Sequence, residues 1–397
     1  MQQKEIRYCQ IMRNSRFDII KGVACIAVVL LHYTFPGFSG DWVKVFCRFA
    51  VPFFFCLSGY YLFDFNSDKV EAESVVRKIR KLTSILVWST IFYGFVYYFA
   101  VHCPKGGLSI ASYIERYINA KTLLYMFLCN TGLFNLALWF IGALIYCYIT
   151  VLLVFNTKKR LYFSWVLILP LLGVMSITQE FAGVAGFKWN FIPISGVKPI
   201  PYFQLSCCFL CRALPFFLLG TVLRAFSKKI KEWKTPDWIF LFVAFVSGVI
   251  AILEFKLLNG RVAQFYIGSY LMALSLCLWA IREGGSDKFI NWVADKITRQ
   301  QNVVGFNMPE EQNDPRILHQ DHLISHPVFI KLAWVGRELS MLVYILHIAV
   351  GIGVSRLVKG IGVALAWYGW INPIIVIVGS IGLSFVIYKL GRLIKNM

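Results

Sequence analysis

Phe17–Pro36 reads FDIIKGVACIAVVLLHYTFP, an almost wholly apolar helix with Lys21 near one end and His32 near the other. At 1.5 Å per residue the two lie about 16 Å apart, three turns on and within roughly 20° of one face. In a helix of this character, a cation at one membrane surface and an imidazole towards the other mark a functional face. The plain alternative is a snorkelling lysine and a packing histidine at a helix end. Asp18 stands three residues before Lys21, where the two can pair on the first turn.

The rest of the chain is of the same kind. Of its 397 residues 58% are hydrophobic, 17% aromatic and only 15% charged, which describes a polytopic membrane protein rather than a soluble core. Runs of 17 or more mostly apolar residues fall at Ile19–Phe35, Val45–Phe63, Leu82–Val101, Leu133–Phe155, Leu161–Ile177, Leu205–Leu223, Trp238–Phe255, Val262–Ile281, Leu339–Leu357 and Ile371–Tyr388. The expected fold is therefore all-α. It is a single polytopic membrane helix bundle over residues 1–397, with about ten transmembrane helices. Leu123–Cys129 is too short to cross and reads as interfacial or re-entrant.

Basic residues set the orientation. With the N-terminus inside, 27 of the 40 Lys and Arg fall in cytoplasmic segments, 10 in outer ones, and Lys21, Arg48 and Arg212 within spans. Both termini are then cytoplasmic. The net charge of +20 is mainly a topology signal; it implies attraction to anionic membrane lipids and calls for no nucleic acid. The first apolar run has full spanning length and no small-residue cleavage site after it, so it reads as an anchor. Most of the eleven Cys lie in spans as small apolar side chains, with only Cys103 expected to face outside. Cys208-Phe-Leu-Cys211 is formally C-x-x-C but has no second pair to complete a metal site.

Several stretches carry punctuation. Pro52 breaks the backbone ladder of the second span after Arg48, and Pro215 breaks the sixth beside Arg212. Ser58-Gly59 offers a surface for close helix approach. Arg77, Lys78, Arg80 and Lys81 line the cytoplasmic surface ahead of the third span. Thr178–Gln204, rich in Gly, Pro and aromatics, suits an ordered outer lid. Thr235-Pro236 is a helix start, with Thr as cap and Pro in the first turn. Phe289–Ile297 has one apolar face and suits a helix lying in the membrane plane. Thr298–Lys331 is a polar cytoplasmic insert with His319, His322 and His326 in metal-ligand steps. Pro315 and Pro327 argue against the long helix that would align them, so the insert is read as mobile and no metal is expected.

With this orientation His32 and Arg48 lie at one height near the outer face, and Trp139 and Arg212 roughly 9–11 Å below it. His347 lies near mid-membrane. The spans offer no obvious carboxylate there, with Asp18 at the inner edge and Glu254 at a span end, so the cations call for a water-filled cavity, an anionic ligand, or carbonyls freed by Pro52 and Pro215.

In order along the chain stand Asp18-x-x-Lys21-Gly22-x9-His32, then Arg48-x-x-Val51-Pro52-Phe53-Phe54-Phe55-x-Leu57-Ser58-Gly59-Tyr60, then Leu138-Trp139-Phe140, and last Gly336-Arg337-x-x-Ser340-x3-Tyr344-x-x-His347. This set resembles the acyltransferase-3 family of bacterial integral-membrane acyltransferases, over nearly the whole chain. The resemblance implies transfer of an acyl group, commonly acetyl, from cytoplasmic acyl-CoA. The acceptor would be a hydroxyl of a cell-surface glycan or its lipid-linked precursor. The site would lie in the bacterial cytoplasmic membrane, with acyl-CoA as donor substrate and no permanently bound cofactor. The family's Arg-x10-His pattern maps onto Lys21 and His32, with lysine keeping the charge and losing the bidentate fork. The implied catalytic residues are His32, as general base, and Arg48. Donor binding falls to Lys21, Arg77 and Lys78. Arg212, Trp139, Ser58, Tyr344 and His347 are candidate oxyanion or acceptor contacts. A glycan exporter or flippase, or a small-molecule transport module of the same fold, is the rival reading.

The topology is tested by single cysteines in a Cys103→Ser background on intact cells. An impermeant maleimide is expected to label Ser195→Cys and to spare Ser325→Cys; the reverse pattern overturns the orientation.

Overall fold

A computed structural model describes residues 14–62, 67–103, 109–181, 192–194, 197–200, 208–260, 263–282, 327–360 and 368–396. It is a bundle of helices, with one short antiparallel hairpin, β1 (Ile192–Ile194) and β2 (Val197–Ile200), on the segment expected as a lid. A helix stands at each expected span. They are α1 (Ser15–His32), α2 (Gly37–Tyr60), α3 (Ala72–His102), α4 (Leu136–Leu153), α5 (Lys158–Glu180), α6 (Phe209–Arg212 with Leu214–Ala225), α7 (Asp237–Leu257), α8 (Ile267–Ile281), α9 (Pro327–Val358) and α10 (Tyr368–Ile394). Seven of these, α2–α5, α7, α9 and α10, are long and apolar enough to cross a membrane. The short run at Leu123–Cys129 is the end of a separate helix, Ala120–Cys129.

α1 is central. Of its 18 residues, 12 are buried, so it presents no broad lipid face and is wrapped by α2, α8, α9 and α10. α3 is the opposite case. Only Val75, Leu82, Ser89 and Tyr93 of its first 26 residues are buried, a single stripe at near-heptad spacing on a helix otherwise turned outward. Without a hydrophobic drive between helices in lipid, close packing at small residues supplies the adhesion. A Cβ on Gly59 would run into the Phe217 carbonyl of α6, and one on Gly220 into the Cys56 carbonyl of α2. Gly22 and Gly336 bring α1 and α9 together in the same way, Gly22 against the Leu332 carbonyl and Gly336 against that of Asp18.

The base of the bundle is tied by charge. Asp237, buried in the first turn of α7, takes Arg16 Nη1 at 2.7 Å and Arg282 Nη1 at 3.0 Å. Arg16 also donates to the Trp279 and Arg282 carbonyls at 3.2 and 2.6 Å, and Arg282 to the Trp233 carbonyl at 2.8 Å and to the Thr235 carbonyl. Asn14 caps α1, accepting from Arg16 N and Phe17 N, and its amide donates to the Ala280 carbonyl.

Some boundaries differ from the sequence reading. α2 begins at Gly37, not Val45, because the run after Pro36 continues as helix to Phe46 before a 3-10 turn at Cys47–Phe49. α5 runs through a π-helical turn at Ser176–Glu180, so the outer loop begins at Phe181 and not at Thr178. The cap of α7 is Pro236, and the Thr235 carbonyl serves Arg282. Pro327–Lys331 belongs to α9, because proline suits a first helical turn; the rest of the polar insert, with its three histidines, and Phe289–Ile297 lie outside the described residues.

Asp237→Ala leaves two buried guanidiniums without their carboxylate. It is expected to cost about 3–5 kcal/mol in thermal unfolding in detergent, where Glu73→Ala, on an exposed position, shifts stability by less than about 0.5 kcal/mol.

Candidate active site

The candidate residues separate into two groups by their place along the helices. His32 ends α1, Glu180 ends α5 and Glu254 lies near the end of α7, while Trp139, Arg212 and Tyr266 lie near the starts of α4, α6 and α8, and Arg48, midway along α2, lies within electrostatic reach of His32. In an up-and-down bundle, the ends of odd helices and the starts of even ones share a face. Lys21, Arg77 and Lys78 near helix starts, and Ser58 near the end of α2, belong to the opposite face.

On the first face His32 is solvent-accessible, although its ring lies 5.0 Å, centroid to centroid, from that of fully buried His347. His347 Nδ1 donates to the Tyr344 carbonyl at 2.7 Å and lies 3.2 Å from that of Val343. This fixes its tautomer: Nε2 carries the lone pair, buried and without a hydrogen-bond partner. Tyr344 is held in turn by donating its hydroxyl to the Ala137 carbonyl at the start of α4, and packs on Phe140. An accessible imidazole thus leans on one locked by its own helix.

Arg48 sits in the 3-10 turn of α2. Pro52, four residues on, has no N–H to give the Arg48 carbonyl, and the helix tightens there before resuming as Ala50–Tyr60. Arg48 lies within electrostatic reach of His32, Tyr266 and Arg212, and its Nε is buried without a hydrogen-bond partner. Arg212 closes the first, four-residue part of α6, whose start is held by Phe209 N donating to Asn130 Oδ1 at 3.0 Å. Its guanidinium lies over the Trp139 ring, 3.9 Å from the centroid, and donates to Gln264 Oε1 at 2.7 Å.

The expectation that the spans place no carboxylate here is corrected. Glu180, 1% exposed, ends α5, and neither of its carboxyl oxygens has a hydrogen-bond partner. Glu254, half-buried, accepts from Gly268 N at 3.2 Å. Tyr266, fully buried, lies within electrostatic reach of Arg48, Glu180 and Glu254. Sequence reading missed Glu180 because Thr178-Gln179-Glu180 looks like a polar loop start. Its signal was an acid ending a continuous apolar run.

The second face is differently arranged. Lys21 pairs with Asp18, as the spacing predicts. Arg77 is exposed, whereas Lys78 turns inward, donates to the Tyr61 carbonyl at 2.9 Å and lies over the Tyr148 ring. Ser58 donates to the Phe54 carbonyl at 2.9 Å on its own helix, ten residues along α2 from Arg48, and is not brought to His32. Cys208 and Cys211 form no disulfide, and no group of three or more His, Cys, Asp or Glu fit for a metal occurs among the described residues.

A multi-pass membrane helix bundle that holds histidines and arginines at one face and a basic rim at the other is the class of protein these features define. The family model described as an acyltransferase domain, acyltransferase-3, matches residues 14–389, and the chain belongs to that family. No curated protein and no solved structure matches it.

The two basic neighbours of the second face should separate in stability. Lys78→Met removes a charged donor from the end of α2 and is expected to cost about 1.5–3 kcal/mol, and Arg77→Met less than about 0.5 kcal/mol, in unfolding from mixed detergent micelles.

Proposed function

We propose that this protein is an acyl-CoA-dependent O-acyltransferase. It would carry an acyl group, commonly acetyl, across the bundle to a hydroxyl of a cell-surface glycan or its lipid-linked precursor. The setting is the bacterial cytoplasmic membrane, with ten crossings and both termini inside. The observation that carries the reading is the accessible His32 ring set against His347, next to Arg48, at the far end of the helix that begins with Lys21. Membership of an acyltransferase family supports the reaction class.

The donor nucleotide sits at the cytoplasmic rim, where Lys21 and exposed Arg77 supply charge to its phosphates, Lys78 being committed to the Tyr61 carbonyl. The pantetheine arm follows α1 for the ~16 Å between Lys21 and His32. Neutral His32 takes the proton of the acceptor hydroxyl as its oxygen attacks the thioester carbonyl. A C–O bond forms, and the charge that develops on the carbonyl oxygen meets the Arg48 guanidinium. Collapse breaks the C–S bond, and His32 returns its proton to the departing thiolate of CoA. The His347 ring, 5.0 Å away centroid to centroid, packs against the base.

On purified protein in lipid nanodiscs, His32→Ala is expected to lower acyl transfer by about 10²–10⁴ while acyl-CoA binding persists. Lys21→Ala weakens donor binding, most at low salt, and Lys21→Arg preserves it. Transfer by His32→Ala at the wild-type rate overturns this assignment and favours a transport reading.

A further inference from the structure

The mechanism leaves one buried group unused. Glu180 is 1% exposed in a membrane helix, and both of its carboxyl oxygens lack a hydrogen-bond partner. Leaving a buried polar group unpaired is expensive, and doing so in a spanning segment marks a function by default. The nearest remedy goes unused as well. Arg48, whose Nε is equally unpartnered, shares the neighbour Tyr266 with Glu180, and the two side chains do not pair with each other. Glu180 is carried by a π-helical turn, in which Phe181 N reaches back to the Ser176 carbonyl at 2.9 Å. That insertion turns the last residues of α5 relative to a regular α-helix.

We propose that Glu180 is the acceptor-selecting residue of the site, its carboxyl oxygens taking hydrogen bonds from hydroxyl groups of an uncharged polyol ring. The reading rests on acyl transfer as the activity and adds to it the residue that chooses the acceptor. The class of ligand follows from the mixed lining. Arg48 and Arg212 oppose an ammonium group; Glu180 and Glu254 oppose a carboxylate or phosphate. A neutral ring bearing several hydroxyls satisfies both, since each hydroxyl donates to a carboxyl and accepts from a guanidinium. The Trp139 ring, stacked on Arg212, supplies an apolar face beside one of these guanidiniums. Glu180 and Arg48 both neighbour Tyr266, and Arg48 neighbours His32, so a ring held by Glu180 would have a hydroxyl to offer to His32.

The test separates binding from chemistry. Methyl β-glucopyranoside, glucosamine and glucuronate are titrated by calorimetry into the protein in nanodiscs, as wild type, His32→Ala and Glu180→Gln. The neutral glycoside is expected to bind wild type and His32→Ala alike, ahead of the other two sugars, and to bind Glu180→Gln about tenfold or more weakly. With transfer measured, Glu180→Gln raises the KM for the glycoside far more than it lowers kcat, and it loses the discrimination against glucuronate. Acyl-CoA binding, unchanged in all three proteins, reports that each is folded. On the unsubstituted protein a hydrophobic carbodiimide modifies Glu180, and the glycoside protects it, read by peptide mass. Undiminished glycoside binding by Glu180→Gln, a preference for either charged sugar, no binding of any of the three, or no protection each overturns the proposal. Glu180-dependent binding without acyl transfer would leave the subsite standing and sink the reaction; transfer with an unchanged KM in Glu180→Gln would do the opposite.

Discussion

A charge held in a membrane has to find a partner inside the protein, and this bundle meets that demand at one face and leaves it open at the other. At the base, Arg16, Asp237 and Arg282 satisfy one another and the carbonyls at the ends of two helices, and Lys21 closes on Asp18. These ties bind α1 to α7 and α8. At the opposite face the same types of side chain stand close without closing. Arg48 Nε, His347 Nε2 and both oxygens of Glu180 are buried and unpartnered. A chain that pairs its charges so fully at one end has the means to do so at the other. The open valences there are consistent with a surface kept for something that enters and leaves.

The two proline breaks serve that surface. Each falls a turn or less after an arginine: Pro52 four residues after Arg48 and Pro215 three after Arg212. A proline removes the donor due to the carbonyl four residues back, so the helix loosens where the guanidinium has to leave its own backbone and reach inward. Elsewhere the two helices could hardly be more constrained, since Gly59 of α2 and Gly220 of α6 each admit the other's backbone carbonyls with no room for a Cβ. Rigid seams below and tightened turns above hold the arginines at fixed places. The π-helical turn under Glu180 does for α5 what proline does for α2 and α6.

Most of the architecture was legible because its signals are long. Apolar runs of spanning length need no knowledge of contacts, and all ten coincide with helices. The pair Asp18–Lys21 and the close approach at Gly59 were legible because each depends on one helix and its periodicity. What failed was local polarity at helix ends. Thr178-Gln179-Glu180 looks like loop in sequence, yet the helix continues through it and buries all three. Lys78 and Arg77 are indistinguishable as neighbouring cations in a basic rim, and only packing against Tyr148 turns one inward. Ser58 has the spacing of a site residue, but its hydroxyl is spent on the Phe54 carbonyl.

α1 joins these observations. It is the most enclosed helix of the bundle, and burial on nearly every side is what a lipid-facing helix lacks. Gly22 lets α9 approach closely beside Lys21, and Cys25 and Val29 cluster with Leu339 and Val343 of α9 farther along. The contact continues to the end of the helix, where Tyr33 donates to the Ile348 carbonyl at 3.2 Å, while the His32 ring remains accessible beside wholly enclosed His347. A donor too polar to cross and an acceptor on the far side never need to share a compartment if one helix carries a binding end and a reacting end. Three turns separate Lys21 from His32, and that separation, a property of helix geometry alone, sets the length of the arm that any shared substrate must possess.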